Sequence, residues 1–290
     1  MPEVSLPRPV PGFAALRRRW GETRSLDRLR AHYQLEVGLA RRLVDAPKAQ
    51  RLSAYGQVYD ELFAAVHDHP QHTPLRRDHR AQIEAQLRVL RRHLGKRQVF
   101  LEIGAGDCRL SFAVCKLVRR VVAIDVSDRL LNLERTPENF SFALSGGTSI
   151  PVPAESVDVA YSNQLLEQLH PDDALEHLGN SHRALKLQGV YCCVTPNRIS
   201  GPHDISAYFD SRARGLHLKE YSYRELSDVL RRAGFSRVAY GVGPLGQSVP
   251  RPLLFGLEAM LDGVPEPWRP TLCQNAVAGR LLGICAFAYK

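Results

Sequence analysis

The chain has 290 residues, of which 44% are hydrophobic and 24% are charged. These fractions are typical of a globular protein, and they exclude collagen-like, low-complexity and coiled-coil chains. The formal net charge of +9 lies in the first third, because residues 1–97 hold 19 basic and 10 acidic residues, whereas residues 98–290 hold 20 of each. This excess fits a surface for nucleic acid, phosphate or an acidic substrate, or a solvated Arg-rich helical surface. The solvated surface is favoured, because no aromatic residues interleave the basic runs.

Other general features concern compartment and membrane contact. No stretch approaches the roughly 20 apolar residues that a membrane-spanning helix needs. The prolines of the first segment, MPEVSLPRPVPGF, do not suit a secretion signal. The six cysteines form no CxxC pair and no zinc-knuckle spacing, which is typical of buried thiols in a reducing compartment. We therefore expect a cytoplasmic protein without membrane contact.

Residues 1–97 are predicted to form helices without a sheet of their own. Apolar residues recur at helical spacing in three segments, at about 26–43, 52–66 and 81–94. Prolines end the first two segments, in Asp45-Ala-Pro47 and Asp68-His-Pro70. The three apolar faces must be buried, so we predict that residues 1–97 pack as a helical cap on the domain that follows.

From residue 98 onwards, short apolar runs rich in β-branched and aromatic residues alternate with amphipathic stretches. The runs lie at 99–103, 120–125, 140–144, 157–162 and 190–195, with two more near 236–240 and 282–288. This alternation predicts an α/β fold with a mostly parallel sheet that helices cover on both faces. The sequence Ser222-Tyr-Arg-Glu225 is a capping box that starts a further helix, which Gly234 can close.

The first predicted strand leads directly into Gly104-Ala-Gly106, where a helix begins. Glycines at such a turn let the backbone approach a ligand, and a helix N-terminus offers free N–H groups. A dinucleotide-binding fingerprint needs glycine at position 109, so Arg109 argues against a nicotinamide-dependent oxidoreductase. Glu102 precedes the turn, and Asp125 ends the next strand, where a carboxylate can accept hydrogen bonds from a ribose diol.

The segment Glu102-Ile-Gly-Ala-Gly106, followed by Asp125, resembles the first motif of S-adenosylmethionine-dependent methyltransferases with a Rossmann-like fold. Four later segments resemble further segments of that family in the same order, at 149–158, 163–170, 183–189 and 217–235. The resemblance is to methyltransferases of the type 11 kind and spans residues 98–240. It implies a seven-stranded, Rossmann-like, mostly parallel sheet in a methyltransferase domain at 98–290, preceded by the helical cap at 1–97, with S-adenosylmethionine as cofactor.

Three positions depart from the family pattern. The third glycine of the first motif is Cys108, and the acidic residue that usually follows the third strand is Gly146. Gln168 replaces the histidine of the segment after the fourth strand. Because of the change at Gly146, we expect adenine to rest on backbone groups near Gly147 and Thr148 and on apolar walls.

The resemblance also indicates site residues. We expect cofactor contacts from ten residues: Glu102, Gly104, Ala105, Gly106, Asp125, Val126, Gly147, Thr148, Ser162 and Asn163. The candidate catalytic residues are His203, Asp204 and His170, because the ordinary pKa of histidine suits a general base. Each has a competing structural interpretation, with His203 in a polar turn and Asp204 and His170 as helix caps.

No metal site is expected. The cluster His67-Asp-His69-Pro-Gln-His72 matches no closed zinc spacing.

The predicted function is methyl transfer to a hydroxyl group of a small molecule or saccharide. The turn Ser162-Asn-Gln-Leu165 lacks the N/D-P-P-Y sequence of family members that methylate amines in nucleic acid. Nucleic acid is therefore not the expected partner. Two alternatives stay open, a nucleic-acid-directed enzyme that uses the basic first third and a non-catalytic protein of the same fold. A homodimer also stays open.

Overall fold

The computed structural model describes residues 6–69, 79–131, 136–242, 246–265, 268–273 and 281–290. Four helices precede the first strand: α1 (Phe13–Trp20), α2 (Leu26–Asp45), α3 (Lys48–Ala65) and α4 (His79–Leu90). The three predicted helical segments thus correspond to α2, α3 and α4, and a short 3₁₀ turn at Arg91–His93 extends α4. Among the described helices, none has both the length and the apolar character to cross a bilayer.

An eight-stranded sheet forms the centre of the molecule. Its strands are β1 (Val99–Ile103), β2 (Arg120–Asp125), β3 (Phe140–Leu144), β4 (Val157–Asn163), β5 (Leu185–Thr195), β6 (Arg237–Val242), β7 (Gln247–Val249) and β8 (Ile284–Tyr289). Their order in the sheet is β3-β2-β1-β4-β5-β8-β6-β7. The pairs among β1 to β5 are parallel, and β8 is antiparallel to both of its neighbours.

The predicted α/β fold with a mostly parallel sheet is confirmed, with one correction to the strand count. The eighth strand is β7, which pairs antiparallel with β6 at the edge of the sheet. Its three residues, Gln-Ser-Val, form no apolar run, so the sequence pattern could not reveal it. The helices that follow β1 are α5 (Arg109–Val114), α6 (Pro171–Ala184), α7 (Tyr223–Arg232), α8 (Arg251–Asp262) and α9 (Arg269–Cys273).

The capping box at the start of α7 is also confirmed. The Ser222 hydroxyl accepts from the Glu225 N–H at 3.1 Å, and the Glu225 carboxylate accepts from the Ser222 N–H at 2.8 Å. These two bonds satisfy backbone donors that the first turn of a helix leaves free.

Strand order reverses between β1 and β4, because β2 and β3 extend the sheet to one side and β4 and β5 to the other. Connections on either side of this point turn away from each other, so a crevice opens at the C-terminal ends of β1 and β4. Open α/β sheets bind their ligands in this crevice, so a functional site is expected there.

The N-terminal helices pack on both faces of the sheet. Helices α2 and α3 bury Leu43, Tyr55 and Leu62 in the same core as the strand residues Leu101 and Ile124. On the opposite face of the sheet, α4 packs against Phe100, Val121 and Phe287. Its apolar face consists of Ile83, Leu87 and Leu90. Helices α2 and α3 therefore belong to one core of the α/β fold, and α4 belongs to the other.

Candidate active site

A cavity of about 490 Å³ lies at the C-terminal ends of β1, β2 and β4, where the strand order reverses. This volume is in the range of small-molecule and cofactor pockets. The turn after β1 and the end of β2 form its floor, and side chains of α3 and α4 cover it: Tyr55, Tyr59, Phe63, Gln82, Ile83 and Gln86.

The turn after β1 has the backbone that the glycines predicted. Gly104 and Gly106 both have positive φ angles, of 70° and 51°. A Cβ at Gly104 would lie 3.2 Å from the Leu165 side chain, so the turn has no room for one. Cys108 also lies in the left-handed region, with φ of 57°, and is fully buried. That conformation is one that glycine adopts freely, which explains why the family has glycine at this position.

Asp125 ends β2 with its carboxylate held in the crevice. One oxygen accepts from the Gly106 N–H at 2.8 Å and the other from the Ser127 N–H at 3.2 Å. Burial raises the pKa of Asp125, and these two N–H donors oppose that rise. A carboxylate oxygen has two lone pairs, so each still has room for one hydroxyl donor. Asp125 can therefore bind a ribose diol without losing its present bonds.

Glu102, on β1, is buried beneath the same turn. Its Oε2 accepts from the Ser111 hydroxyl at 2.5 Å. Burial raises the pKa of Glu102 to about 8, although the Ser111 hydrogen bonds oppose the rise. Burial therefore favours the protonated form of Glu102, and a cationic group bound beside it would favour the ionised form.

Helix α3 is fixed over the cavity by a buried ion pair. Arg51 donates to both carboxylate oxygens of Asp173 on α6, at 2.6 and 2.9 Å. The Tyr55 hydroxyl donates to Asp173 at 2.8 Å and accepts from the His170 N–H at 2.9 Å. Burial alone would raise the pKa of Asp173, but the bonds from Arg51 and Tyr55 lower it.

Two further contacts bring α3 close to the strand ends. Gly147 has φ of 85°, and a Cβ there would lie 2.9 Å from the Tyr55 ring. Gly56, on α3, approaches the segment after β2 equally closely, because a Cβ there would lie 3.1 Å from the Val126 carbonyl oxygen. Further along α3, Asp60 forms an ion pair with Arg129, whose Nε lies 2.8 Å from Asp60 Oδ1. The sequence predicted that this helical segment packs on the domain that follows, but no local signal indicated the pair of Arg51 with Asp173 on α6.

Eight of the ten predicted cofactor residues line the cavity: Glu102, Gly104, Ala105, Gly106, Asp125, Val126, Gly147 and Asn163. Thr148 and Ser162 lie outside its lining. The Thr148 hydroxyl donates to Glu176 at 2.8 Å, and the Ser162 hydroxyl lies 2.6 Å from the Tyr191 hydroxyl inside the core. Both hydroxyls are thus engaged within the protein, and the cofactor contacts of Thr148 and Ser162 stay predictions.

The three predicted catalytic residues also lie outside the cavity lining. His170 caps α6, with its Nδ1 accepting from the Asp172 N–H at 3.3 Å. Asp204 caps the 3₁₀ turn Ile205–Tyr208 through the Ser206 N–H and also accepts from the Gly215 N–H. The His203 ring contacts Ser200 and Glu220, at 3.2 and 3.3 Å. Asp204 and His170 thus act as caps, as their structural interpretations predicted. The positions of the three side chains identify none of them as a general base.

His203 and Asp204 belong instead to a buried polar cluster around the loop before α7. His217 Nδ1 lies 2.8 Å from Glu220, and Glu36 on α2 accepts from the Leu216 N–H. Burial alone would lower the pKa of His217, but Glu220 and the nearby carboxylates raise it to about 9. Burial raises the pKa of Asp204 to about 6. The cluster joins α2 to this loop.

One group of side chains has the composition of a metal site. Ligand atoms of His32, Glu36 and His69 lie within 4.8 Å of one another. However, the Arg24 guanidinium lies 3.0 Å from His32 Nδ1 and can only donate there, so the ring proton is on Nε2, which faces Glu36 at 2.7 Å. The Arg24 cation beside this ring disfavours a metal ion there. His72 of the sequence cluster lies outside the described residues.

Together, the strand order and the glycine turn with its following carboxylate have the arrangement of nucleotide-binding α/β folds. Residues 101–193 match the family model described as a methyltransferase domain. This part of the chain, from β1 to β5, is therefore similar to a methyltransferase domain. Comparison with curated proteins finds none that matches this sequence.

Several solved structures are similar in fold. One is a chain of the complex between the Haloferax volcanii Trm112 methyltransferase activator and a methyltransferase, with TM-score 0.52 and 15% identity, covering 82% of this chain and 96% of that one. A second is a SAM-dependent methyltransferase from Archaeoglobus fulgidus, with TM-score 0.48 and 18% identity, covering 73% and 94%. A third is the Burkholderia thailandensis 1,6-didemethyltoxoflavin-N1-methyltransferase with S-adenosylhomocysteine bound, with TM-score 0.48 and 17% identity, covering 84% and 91%.

Proposed function

We propose that this protein transfers the methyl group of S-adenosylmethionine to a hydroxyl group of a small molecule or saccharide bound in the cavity. The observation that carries the proposal is the cavity itself. One end has the glycine turn and Asp125, and the other end is enclosed by α3 and α4. A cavity of this volume, covered by α3 and α4, suits a small acceptor better than a polymer.

The cofactor end supplies the groups that S-adenosylmethionine needs. Asp125 would hold the ribose hydroxyls, and Gly106, where a Cβ would meet nothing within 4 Å, leaves open space in the turn. Glu102 lies under the turn, where its carboxyl can respond to the positive end of the cofactor. Tyr55, packed on Gly147, provides an apolar wall for adenine.

The remaining lining residues hold the acceptor. When bound, the cofactor supplies an activated methyl group, so that the acceptor oxygen forms a bond to the methyl carbon while the carbon–sulfur bond breaks and the hydroxyl proton is released. The protein accelerates this step mainly by holding the two atoms at about 3–3.5 Å in line. Asn163 and Gln164, at the end of β4, and Gln168 are positioned to orient the hydroxyl and accept its hydrogen bond.

The test combines binding with product analysis. Calorimetry with S-adenosylmethionine, S-adenosylhomocysteine and NADH should show binding of the first two ligands and none of NADH. Incubation with a methyl-labelled cofactor and matched alcohols and amines should then give labelled methyl ethers, read by mass spectrometry. Binding of NADH alone, or label on the amines in place of the alcohols, would contradict the proposal.

A further inference from the structure

A group of exposed cationic residues lies at the edge of the sheet opposite the cavity. Strands β1 to β5 run parallel and all begin at this edge, and β6 begins there too, because β5 and β6 are both antiparallel to β8. Eight exposed cationic residues precede or start β1, β2 and β6, and we call them the basic edge: Arg91, Arg92, Lys96, Arg97, Lys116, Arg119, Arg120 and Arg237. Four belong to the first 97 residues and four to the remainder, where the formal charges balance, so composition alone does not reveal the group.

Hydrogen bonds hold the segments before β1 and β2 side by side. Lys96 Nζ donates to the Lys116 carbonyl oxygen at 2.6 Å. The N–H groups of Arg119 and Arg120 both donate to the Gln98 carbonyl oxygen, at 2.9 and 3.3 Å. Seven of the eight residues therefore lie on two adjacent segments of chain, at 91–97 and 116–120.

Two cation–π contacts extend the basic edge across the sheet. The Arg92 guanidinium carbon lies 4.2 Å from the centre of the Phe287 ring. The Arg237 guanidinium carbon lies 4.0 Å from the centre of the Tyr289 ring. Phe287 and Tyr289 are two residues apart on β8, so both rings lie on the same face of the sheet. Arg92 and Arg237 thus follow one another along β8, and their guanidinium groups cover these aromatic rings.

The positive charge of the basic edge is not neutralised by neighbouring carboxylates. In the described part of the chain, none of the eight cationic side chains forms an ion pair. Two other cations of this edge do so, in the pairs Lys186–Asp158 at 2.8 Å and Lys290–Glu155 at 3.3 Å. Glu138 is an exposed carboxylate near Arg119, since the next residue, Asn139, donates its amide to the Arg119 carbonyl at 3.4 Å. Even with Glu138, the described surface stays strongly positive.

The composition and dimensions of the basic edge suit a long phosphate polyanion. Six of the eight residues are arginines, whose planar guanidinium groups bind pairs of phosphate oxygens. Five strand-to-strand steps separate β2 from β6, so at about 4.8 Å a step the row is about 24 Å wide. A double helix presents phosphates along about seven base pairs in that distance. A single small anion would meet only a few of the cations.

We propose that the basic edge binds the phosphate backbone of a double-stranded nucleic acid without reading its sequence. Stacking of unpaired bases needs open aromatic rings, and here Arg92 and Arg237 cover them. Attachment to a membrane interface needs an apolar face, and the exposed Leu187 near the start of β5 is a single apolar side chain. The surface lies opposite the cavity, so nucleic acid is a partner here and not the methyl acceptor, and its binding is independent of the proposed function.

The first arm of the experiment measures binding of the full chain to two fluorescein-labelled DNA duplexes of unrelated sequence, each of about 20 base pairs. Fluorescence anisotropy should give equal affinity for the two duplexes, because contacts to phosphates carry no sequence information. Raising the salt concentration from about 50 to about 200 mM should lower the affinity at least about 100-fold, because each contact with a phosphate releases counterions. A weak dependence on salt, or a strong preference for one duplex, would contradict the proposal.

Paired substitutions test where the contacts lie. Arg119→Gln/Arg120→Gln and Arg91→Gln/Arg97→Gln each remove two cations of the basic edge. Each should make the slope of log affinity against log salt concentration shallower by about two, and should lower affinity at about 50 mM salt about tenfold or more. Because the two variants change separate segments, one that circular dichroism shows to be unfolded leaves the other to decide.

The matched control is Arg18→Gln/Arg19→Gln, which removes the same charge from exposed positions on α1. Helix α1 lies away from the basic edge, since Trp20 packs on Tyr208 in the loop after β5, with ring centroids 5.4 Å apart. The control should keep the wild-type affinity and salt dependence. All three variants should keep the wild-type affinity for S-adenosylmethionine.

Failure of the wild-type chain to bind either duplex at low salt would overturn the proposal. Equal weakening of binding by the control and by the basic-edge variants would do the same, because net charge alone would then explain the attraction. Vesicles that contain phosphatidylserine provide the last comparison. If the basic-edge variants abolish binding to these vesicles and leave duplex binding unchanged, the surface belongs to a membrane and not to nucleic acid.

Discussion

The two ends of the cavity are built in different ways. The cofactor end comes from β1, the glycine turn and the end of β2, within 24 residues of sequence from Glu102 to Asp125. The cover over this end is α3, which is held in place by Arg51 and Tyr55. Their shared partner, Asp173, lies 122 and 118 residues away in the chain. A short motif can specify the first end by itself, whereas the second exists only once the chain has folded.

The carboxylates at the two ends also differ. Burial raises the pKa of both Glu102 and Asp125 at the cofactor end, where no cationic side chain in the described part of the chain pairs with them. At the cover, Arg51 and Tyr55 lower the pKa of Asp173 despite its burial. The Asp173 carboxylate is therefore engaged in holding α3, whereas the carboxyl groups of Glu102 and Asp125 can still interact with a ligand. The comparison predicts that substitutions at the cover affect stability first and those at the cofactor end affect binding first.

The largest expected effect is at the cover. Arg51→Ala leaves the buried Asp173 carboxylate without its cation and should lower the free energy of unfolding by about 3–5 kcal/mol. Urea unfolding followed by circular dichroism measures it. The control is Arg42→Ala, which removes an exposed pair with Glu61 between α2 and α3 and should cost little. Equal effects of the two substitutions would show that the Arg51–Asp173 pair is not what holds α3.

At the cofactor end, the expected effect is on ligand affinity. Asp125→Ala should weaken binding of S-adenosylhomocysteine by about 1.5–3 kcal/mol, because a charged acceptor of ribose hydrogen bonds is lost. Glu102→Ala should weaken it less, since Glu102 lies beneath the turn. Asp128→Ala, an exposed carboxylate near the same turn, should leave affinity unchanged. Calorimetry checks all three, and wild-type affinity in Asp125→Ala would contradict the assignment of the ribose.

The sequence could predict most of the fold because the relevant signals are local. Alternation of apolar runs with amphipathic stretches identified seven strands, and only β7 escaped because its residues form no apolar run. The glycine turn and Asp125 were found by their spacing along the chain. Cys108 shows the limit of such a pattern, since it takes up the left-handed backbone that glycine would adopt.

The acceptor end could not be predicted in the same way. His203, Asp204 and His170 are the residue types that catalysis uses, yet their side chains are directed to helix caps and loop partners. Gln82 and Gln86 gave no signal, because glutamines on a helix are ordinarily exposed surface residues. Only the packing of α4 beside the strand ends brings them to the cavity.

A pH-dependent prediction concerns Glu102. Its pKa is about 8 in the folded protein against an ordinary value of 4.5. The folded state therefore holds a proton that the unfolded state has lost, so this group makes stability fall as pH rises from 4.5 to 8. The Glu102→Gln variant has no carboxyl group there and does not lose this stability. Its free energy of unfolding, relative to that of the wild type, should therefore rise by about 1 kcal/mol or more across this pH range.

Unfolding in urea at several pH values without cofactor measures this difference. The exposed carboxylate of Asp128 gives the control, since Asp128→Asn should differ from the wild type by an amount that stays constant with pH. A constant difference for Glu102→Gln as well would mean that Glu102 is ionised in the folded protein, and the contrast with Asp173 would disappear.

The smallest expected effect separates stability from binding at one residue. Gln164→Gly relieves a left-handed backbone, with φ of 55°, and should raise the free energy of unfolding by up to about 1 kcal/mol. The same change removes an amide from the cavity lining, so affinity for the acceptor should fall while cofactor affinity stays the same. Gln168→Gly removes the same kind of side chain at a position without a left-handed backbone, and it should lower stability as well as acceptor affinity. Loss of stability in Gln164→Gly would show that its side chain supports the fold, and the glutamine would no longer need an acceptor to explain it.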